Sequence, residues 1–200
     1  MDSAGKIVTC MQKAAEQVNL QIPSADEVKH IIGISLVPAI KQLFGVDEQI
    51  AKVVAENYKQ QYISHDHIPV PLFDGAHNLL TDLSSGPSTL AVATGKARVG
   101  LQRAFAQTDT EHFFSLSRCA DEAQSKPHPD MLIQILYEVG LSEKDAVMVG
   151  DTTHDMAMAE AIGMDRVAVS YGAHTTDKLE QHQPTEIVHS VDELGAFLKQ

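Results

Sequence analysis

Beyond residue 70 the sequence switches repeatedly between two periodicities, and few folds accommodate that. Short apolar runs occur at 88–94 (STLAVAT), 113–119 (FFSLSRC), 145–151 (DAVMVGD), 166–172 (RVAVSYG) and 185–190 (TEIVHS). Around them lie stretches with helical spacing, at 75–84, 97–106, 128–141, 155–163 and 191–200. A strand that is apolar throughout is covered on both faces, and strands connected through helices run parallel. The pattern predicts an α/β core with a doubly wound, Rossmann-like parallel sheet.

The first 70 residues follow a single rule. From about 3 to 64 apolar residues recur at helical intervals, as in IVTCMQKAAEQVNL, ADEVKHIIGISLVPAIKQLF and DEQIAKVVAENYKQQYI. Breaks are expected at Pro23-Ser24, across Gly33 to Pro38 and at Gly45, with Ser24 and Asp47 as helix N-caps. The chain is expected to divide into an all-helical N-terminal unit over 1–70 and the α/β core over 71–200.

Composition narrows the partners. Fifteen basic against 27 acidic residues leave a net charge of −12, which repels nucleic-acid backbones and anionic lipid at long range. At 44% hydrophobic residues the chain can bury a core, so disorder is not expected. No run approaches the roughly 20 apolar residues that cross a bilayer. The first residues lack the basic-then-apolar order of a signal peptide. A cytoplasmic protein with neither nucleic-acid nor membrane partner is expected. Cys10 and Cys119 are too few for a disulfide framework or a zinc site. His65 and His67 flank Asp66 in SHDHIP, but the stretch runs into Pro69 and Pro71 without a fourth ligand nearby, and a solvated linker is expected.

In an open parallel sheet, ligands gather beyond the carboxyl ends of the strands. At the first such end Thr94-Gly95 offers a hydroxyl, a small residue and a helix start, which suits an anion; alternatively Thr94 only caps the helix. Lys126, fixed by Pro127 and Pro129, is either a rigidly presented ammonium for a phosphate or carboxylate cluster, or a solvated lysine. In VMVGDTTHDMAMAEAIG (147–163) Asp151 ends a strand and Asp155 follows about one turn later. Carboxylates that close repel unless a cation neutralises them, and hard oxygen ligands suit Mg²⁺; both are also good helix-start residues. His154, between them, is expected to be exposed. Together the three segments supply a phosphate-oxygen donor, a cation and metal ligands, which is what phosphoryl transfer requires.

This ordered set resembles the haloacid dehalogenase superfamily, in particular its phosphoglycolate phosphatase-like branch, which carries a helical cap after the first core strand. The resemblance spans essentially the whole chain. Thr94-Gly95 matches the second motif, Lys126 with its proline the third, and Gly150 to Asp155 the fourth. It implies that Thr94 binds a phosphate oxygen, that Gly95 and Lys126 line the substrate, and that Lys126 balances charge between phosphate and nucleophile. Asp151 and Asp155 would hold Mg²⁺. The implied activity is Mg²⁺-dependent hydrolysis of a small organic phosphomonoester. GISLVPAI (33–40) would lie in the cap, with Ser35 either touching substrate or merely packing.

The family's first motif, a strand ending in Asp-x-Asp-Gly-Thr, has no counterpart. Met1-Asp2-Ser3 resembles only the segment after it, so the nucleophilic aspartate and the general acid are missing. In the family that first core strand is central, between those at 145–149 and 88–93. Removing one strand leaves roughly 9.6 Å between its neighbours. Unsatisfied buried backbone groups cost about 1–3 kcal/mol each, against a margin of about 5–15 kcal/mol. The expectation is either a piece of a longer protein with Met1 internal, or a chain that rearranges or takes a strand from a partner, giving a strand-exchanged oligomer. Two other functions stay open: a non-catalytic phosphate-binding or interaction protein, and a phosphosugar mutase.

Overall fold

The structure, a computed structural model, describes residues 1–65 and 68–199. Asp66 and His67 of the SHDHIP segment lie outside the described residues. His65 follows the last cap helix, with its Nε2 at 2.6 Å from Lys13 Nζ.

Four helices open the chain: α1 (Ala4–Gln17), α2 (Ala25–His30), α3 (Leu36–Phe44) and α4 (Glu48–Ser64). Their starts follow local chemistry. Ser24 Oγ accepts from the Glu27 amide while the Glu27 carboxylate accepts from the Ser24 amide, and Asp47 accepts from the Ile50 amide. Such caps contribute about 1 kcal/mol each. Pro38 falls in the first turn of α3, where its missing N–H costs nothing. The helices bury Met11, Ala14, Val28, Ile31, Ala39, Ile40, Ala51, Val54 and Ala55 in one cluster whose partly buried fringe runs from Ile7 to Tyr58. Alanines at the α1–α4 contact let the two backbones approach.

Five strands follow: β1 (Ala91–Ala93), β2 (Leu116–Arg118), β3 (Val147–Gly150), β4 (Asp165–Val169) and β5 (Glu186–Val188). With them come α5 (Ala76–Ser84), α6 (Arg98–Thr108), α7 (Asp130–Val139), α8 (Thr153–Glu160), α9 (Thr176–Glu180) and α10 (Val191–Leu198). Every strand pairing is parallel. Alternation along β4 separates the two covers. Val167 and Val169 pack with Leu79 of α5 and Leu194 of α10, whereas Ala168 packs with Met156 of α8 and Leu179 of α9. The core is therefore the expected doubly wound α/β arrangement.

The strands do not form one sheet. β1 pairs with β2, and β3, β4 and β5 pair in that order, with no ladder joining β1 to β3 among the described residues. Apolar packing spans that seam. Met131, Leu132 and Leu136 of α7 cluster with Met158 and Met164, and against them lie both Ala93 of β1 and Met148 of β3. Methionine's unbranched, polarisable side chain suits such an irregular gap. Leu101 and Phe105 of α6 cover the other face of β1 through Val92. No helix among the described residues is long and apolar enough to cross a membrane.

Candidate functional site

The ends of β1 and β3 meet at Lys126. Its Nζ donates to the Ala93 carbonyl at 2.9 Å and to Asp155 Oδ1 at 2.6 Å, and both side chains of the pair are buried. Asp155 Oδ2 accepts from Thr152 Oγ1 at 2.7 Å and from the Thr152 amide at 3.1 Å, while Thr152 Oγ1 accepts from the Asp155 amide. Asp155 is thus both the third residue of a reciprocal N-cap on α8 and the partner of Lys126. Burial alone would raise its carboxyl pKa, but the Lys126 charge and hydrogen bond, with the Thr152 donors, hold it below the usual carboxylate range. Gly150 makes this approach possible, because a Cβ there would sit 2.3 Å from Asp155 Cβ.

Asp151, at the end of β3, is less compensated. Oδ2 accepts from the Ala173 amide at 2.8 Å. Burial first, then the negative charge of Asp155, push its carboxyl above the usual range, against the Ala173 N–H and Lys126. A desolvated carboxylate with spare acceptor capacity beside a second carboxylate suits a hard cation.

Thr94 follows β1, and its amide donates to the Arg118 carbonyl at 3.0 Å. Its Oγ1 accepts from the Lys96 amide at 3.1 Å, and α6 begins only at Arg98 with Ala97 as N-cap. Thr94 therefore does not cap the helix, and its hydroxyl proton is available to a ligand. Gly95 lies under the cap: a Cβ there would meet the Gly33 carbonyl oxygen at 2.4 Å.

The cap closes on these loops through specific bonds. The Ser35 amide donates to Ser125 Oγ at 2.9 Å, while Ser35 Oγ is buried with no hydrogen-bond partner among the described residues. His154 Nε2 donates to the His30 carbonyl at 3.0 Å and His174 Nε2 to the Lys29 carbonyl at 3.1 Å. Contrary to expectation, His154 is only partly exposed. The last carbonyls of α2 take imidazole N–H groups at the helix end, that of Lys29 in addition to the Ile32 amide. His174 Nδ1 accepts from the Thr153 amide at 3.0 Å, which fixes the neutral ring. Burial, then neighbouring His154, lowers the His174 pKa to about 4. A small cavity of about 20 Å³ between cap and core is lined by Met1, Asp2, Ile32, Phe73, Asp151 and Gly172, among others.

Two features elsewhere carry less chemistry. Cys119, Asp121 and Glu122 bring ligand atoms within 4.8 Å of one another, but Glu122 is committed to Arg98 and to the Cys119 amide. Burial raises the Cys119 thiol to about 11, so thiolate is scarce there. A groove of about 260 Å³ between α5 and α10 holds the Lys199–Asp82 pair at 2.9 Å and lies away from the strand ends discussed above.

Among residues that sequence reasoning missed, Thr152 was visible in the Thr-x-x-Asp capping pattern, and Lys96 by its place next to Thr94-Gly95. Ser125 and His174 carried no local signal.

Fold and site together define a class: a capped, doubly wound α/β protein whose polar groups converge at the carboxyl ends of its strands. A family model described as haloacid dehalogenase-like hydrolase matches residues 1–169, and the chain belongs to that family. It is 29% identical over 199 residues to the protein named probable phosphatase IndB of Dickeya dadantii, covering 97% of this chain and 86% of that one. It is also 29% identical over 200 residues to the tyrosine-protein kinase PtkA of Mycobacterium tuberculosis, covering 98% and 68%. A solved structure titled a predicted phosphoglycolate phosphatase, from Haemophilus somnus, superposes with a TM-score of 0.85 at 22% identity, covering 99% of this chain and 92% of that one.

Proposed function

We propose that the chain is a phosphoric monoester hydrolase acting with Mg²⁺ on a small, phosphoglycolate-like ester. The observation that supports this most is Lys126, whose single ammonium contacts both the end of β1 and Asp155 of α8, next to Thr94 and Asp151. In this reading the Thr94 hydroxyl donates to a phosphate oxygen, Gly95 admits the ester close to the backbone, and Lys126 balances the phosphate charge. Asp151 is the oxygen ligand that fits Mg²⁺ directly; Asp155, with both oxygens engaged, adds negative charge and holds Lys126 in position. Mg²⁺, which phosphatases of this superfamily generally use, supplies charge neutralisation at the phosphoryl oxygens when bound. The cap segment over Gly95 excludes water and selects the ester. The two buried, unpaired cysteines fit a reducing, cytoplasmic setting. A covalent route needs a carboxylate nucleophile beyond Asp151 and Asp155.

Calorimetric titration with inorganic phosphate, with and without Mg²⁺, tests the reading, alongside hydrolysis of p-nitrophenyl phosphate. Saturable binding strengthened by Mg²⁺ and lost in Asp151→Asn is expected; binding indifferent to Mg²⁺ and to Asp151 would remove Asp151 from the site. The commitment of both Asp155 oxygens also favours a second reading, phosphate binding without turnover. Saturable binding with no p-nitrophenol release would decide for it.

A further inference from the structure

The helix α7 is apolar on both sides. Met131, Leu132, Ile135 and Leu136 are buried in the core. On its outer side Ile133 is 47% and Tyr137 88% exposed, and Leu141, just past the glycine that ends the helix, is 45% exposed. Ile133 and Tyr137 lie one turn apart and Leu141 continues the spacing, while Asp130 begins the same face three residues before Ile133. The polar flank of the helix is already engaged, because Arg118 of β2 bonds to Gln134 and pairs with Glu138. Other exposed apolar residues lie on separate elements, as Ile22 before α2, Val53 on α4 and Val99 on α6. Scattered singly, such residues need no partner; a stripe marks a contact surface.

What fits this stripe is a copy of itself. Turned end for end it maps onto itself, with Tyr137 against Tyr137 and Ile133 against Leu141, a side chain of the same size. The charges at its two ends match in the same orientation. Reversal brings Asp130 of one copy to the turn that follows α7 in the other, where Lys144 is exposed, Glu143 is half-buried and Asp145 is committed to the Ser142 amide and hydroxyl. Elsewhere a net charge of −12 per chain opposes self-association, which favours contact through an uncharged stripe. We propose that α7 is the contact between two copies of this chain, packed antiparallel about a two-fold axis at Tyr137. A buried aromatic covers about 150–250 Å², so the stripe falls short of the roughly 800 Å² per partner of a long-lived complex. The dimer is therefore reversible, with Tyr137 as its anchor. Because α7 also packs across the seam between β1 and β3, pairing of its outer face clamps that seam from outside.

The test is sedimentation of the full chain from about 1 µM to about 500 µM, a range that captures a micromolar equilibrium. Wild type is expected to pass from monomer to dimer. Tyr137→Arg, at a position too exposed to endanger the fold, should weaken the dimer about thirtyfold or more. Thiol cross-linking then checks the register, since both native cysteines are buried. Tyr137→Cys should form a disulfide-linked dimer about tenfold or more faster than Glu56→Cys, on the exposed side of α4, because the pairing holds its thiols together. Ile133→Cys should cross-link faster with Leu141→Cys than with itself. Wild type that stays monomeric throughout overturns the proposal and leaves the stripe to a different protein or to water. A dimer indifferent to Tyr137→Arg, as one made by strand exchange would be, overturns it too, and so does cross-linking of Tyr137→Cys at the rate of Glu56→Cys.

Discussion

The two sheets of the core come from similar apolar runs and end in different circumstances. In the three-stranded sheet, Val167 and Ala168 of the central β4 are fully buried, with helices on both faces. In the two-stranded sheet no residue of β1 or β2 is fully buried, and Ala91 is exposed. The first is held by packing. The second relies on α6 and α7, on the bonds of Arg98 to Ser117 and of Arg118 to Gln134, and on Lys126, which links the end of β1 to Asp155 in the other half. The ammonium proposed to balance a phosphate therefore also closes the seam, so stability and binding share a residue.

The largest expected effect comes from breaking that contact. Lys126→Met leaves Asp155 as an unpaired buried carboxylate, and removal of one partner of such a pair costs about 3–5 kcal/mol. Urea unfolding should register most of it, and adding Asp155→Leu should return part of it, because the orphaned charge is then gone. A loss under about 1 kcal/mol would mean that apolar packing alone holds the seam.

Next comes the apolar side of the same joint. Met131 is fully buried in the cluster against which both Ala93 of β1 and Met148 of β3 pack. Met131→Ala should cost about 2–5 kcal/mol through lost contacts and a residual cavity. Hydrogen exchange sharpens the comparison. Amides of β1 and β2 should open at lower free energy than those of β4 already in wild type, and Met131→Ala should widen that difference. Equal protection in the two sheets would dissolve the contrast.

Much of this was legible in the sequence because it is local. The caps at Ser24 and Asp47, the Val-Ala-Val alternation of β4 and the positions of Thr94, Lys126 and Asp151 at strand or loop ends follow from a few neighbouring residues. What was not legible depends on how distant segments meet. An apolar run reads the same whether or not a ladder forms beside it, so the division into two sheets left no mark on composition. His154 was expected in solvent because nothing near it in sequence reveals that the α2 carbonyls lie alongside. Ser125 and Lys96 owe their surroundings to α3 and α4 in the same way.

The smallest expected effect concerns how each half holds the cap. The β1 side holds it by Gly95 against Gly33 and by the Ser125–Ser35 bond, neither of which titrates. The β3 side holds it by His154 and His174, whose rings must stay neutral where they accept or sit buried. His174 has a folded pKa of about 4, below the unfolded value of about 6.5. The folded state thus binds fewer protons than the unfolded state between those values, and its contribution is fully present above about pH 6.5. It is lost as the pH falls towards 4, to a limit of about 3 kcal/mol. His154 shifts in the same direction, whereas Asp151, with its raised pKa, takes up a proton more readily when folded and offsets part of the loss. Asp155, held low, contributes its loss only at more acid pH. Unfolding free energies measured from pH 7 to 4.5 should therefore decline, and the decline should be shallower in His174→Gln. An identical slope in that variant would mean that acid weakens the two halves alike, and the asymmetry of cap attachment would have no energetic consequence.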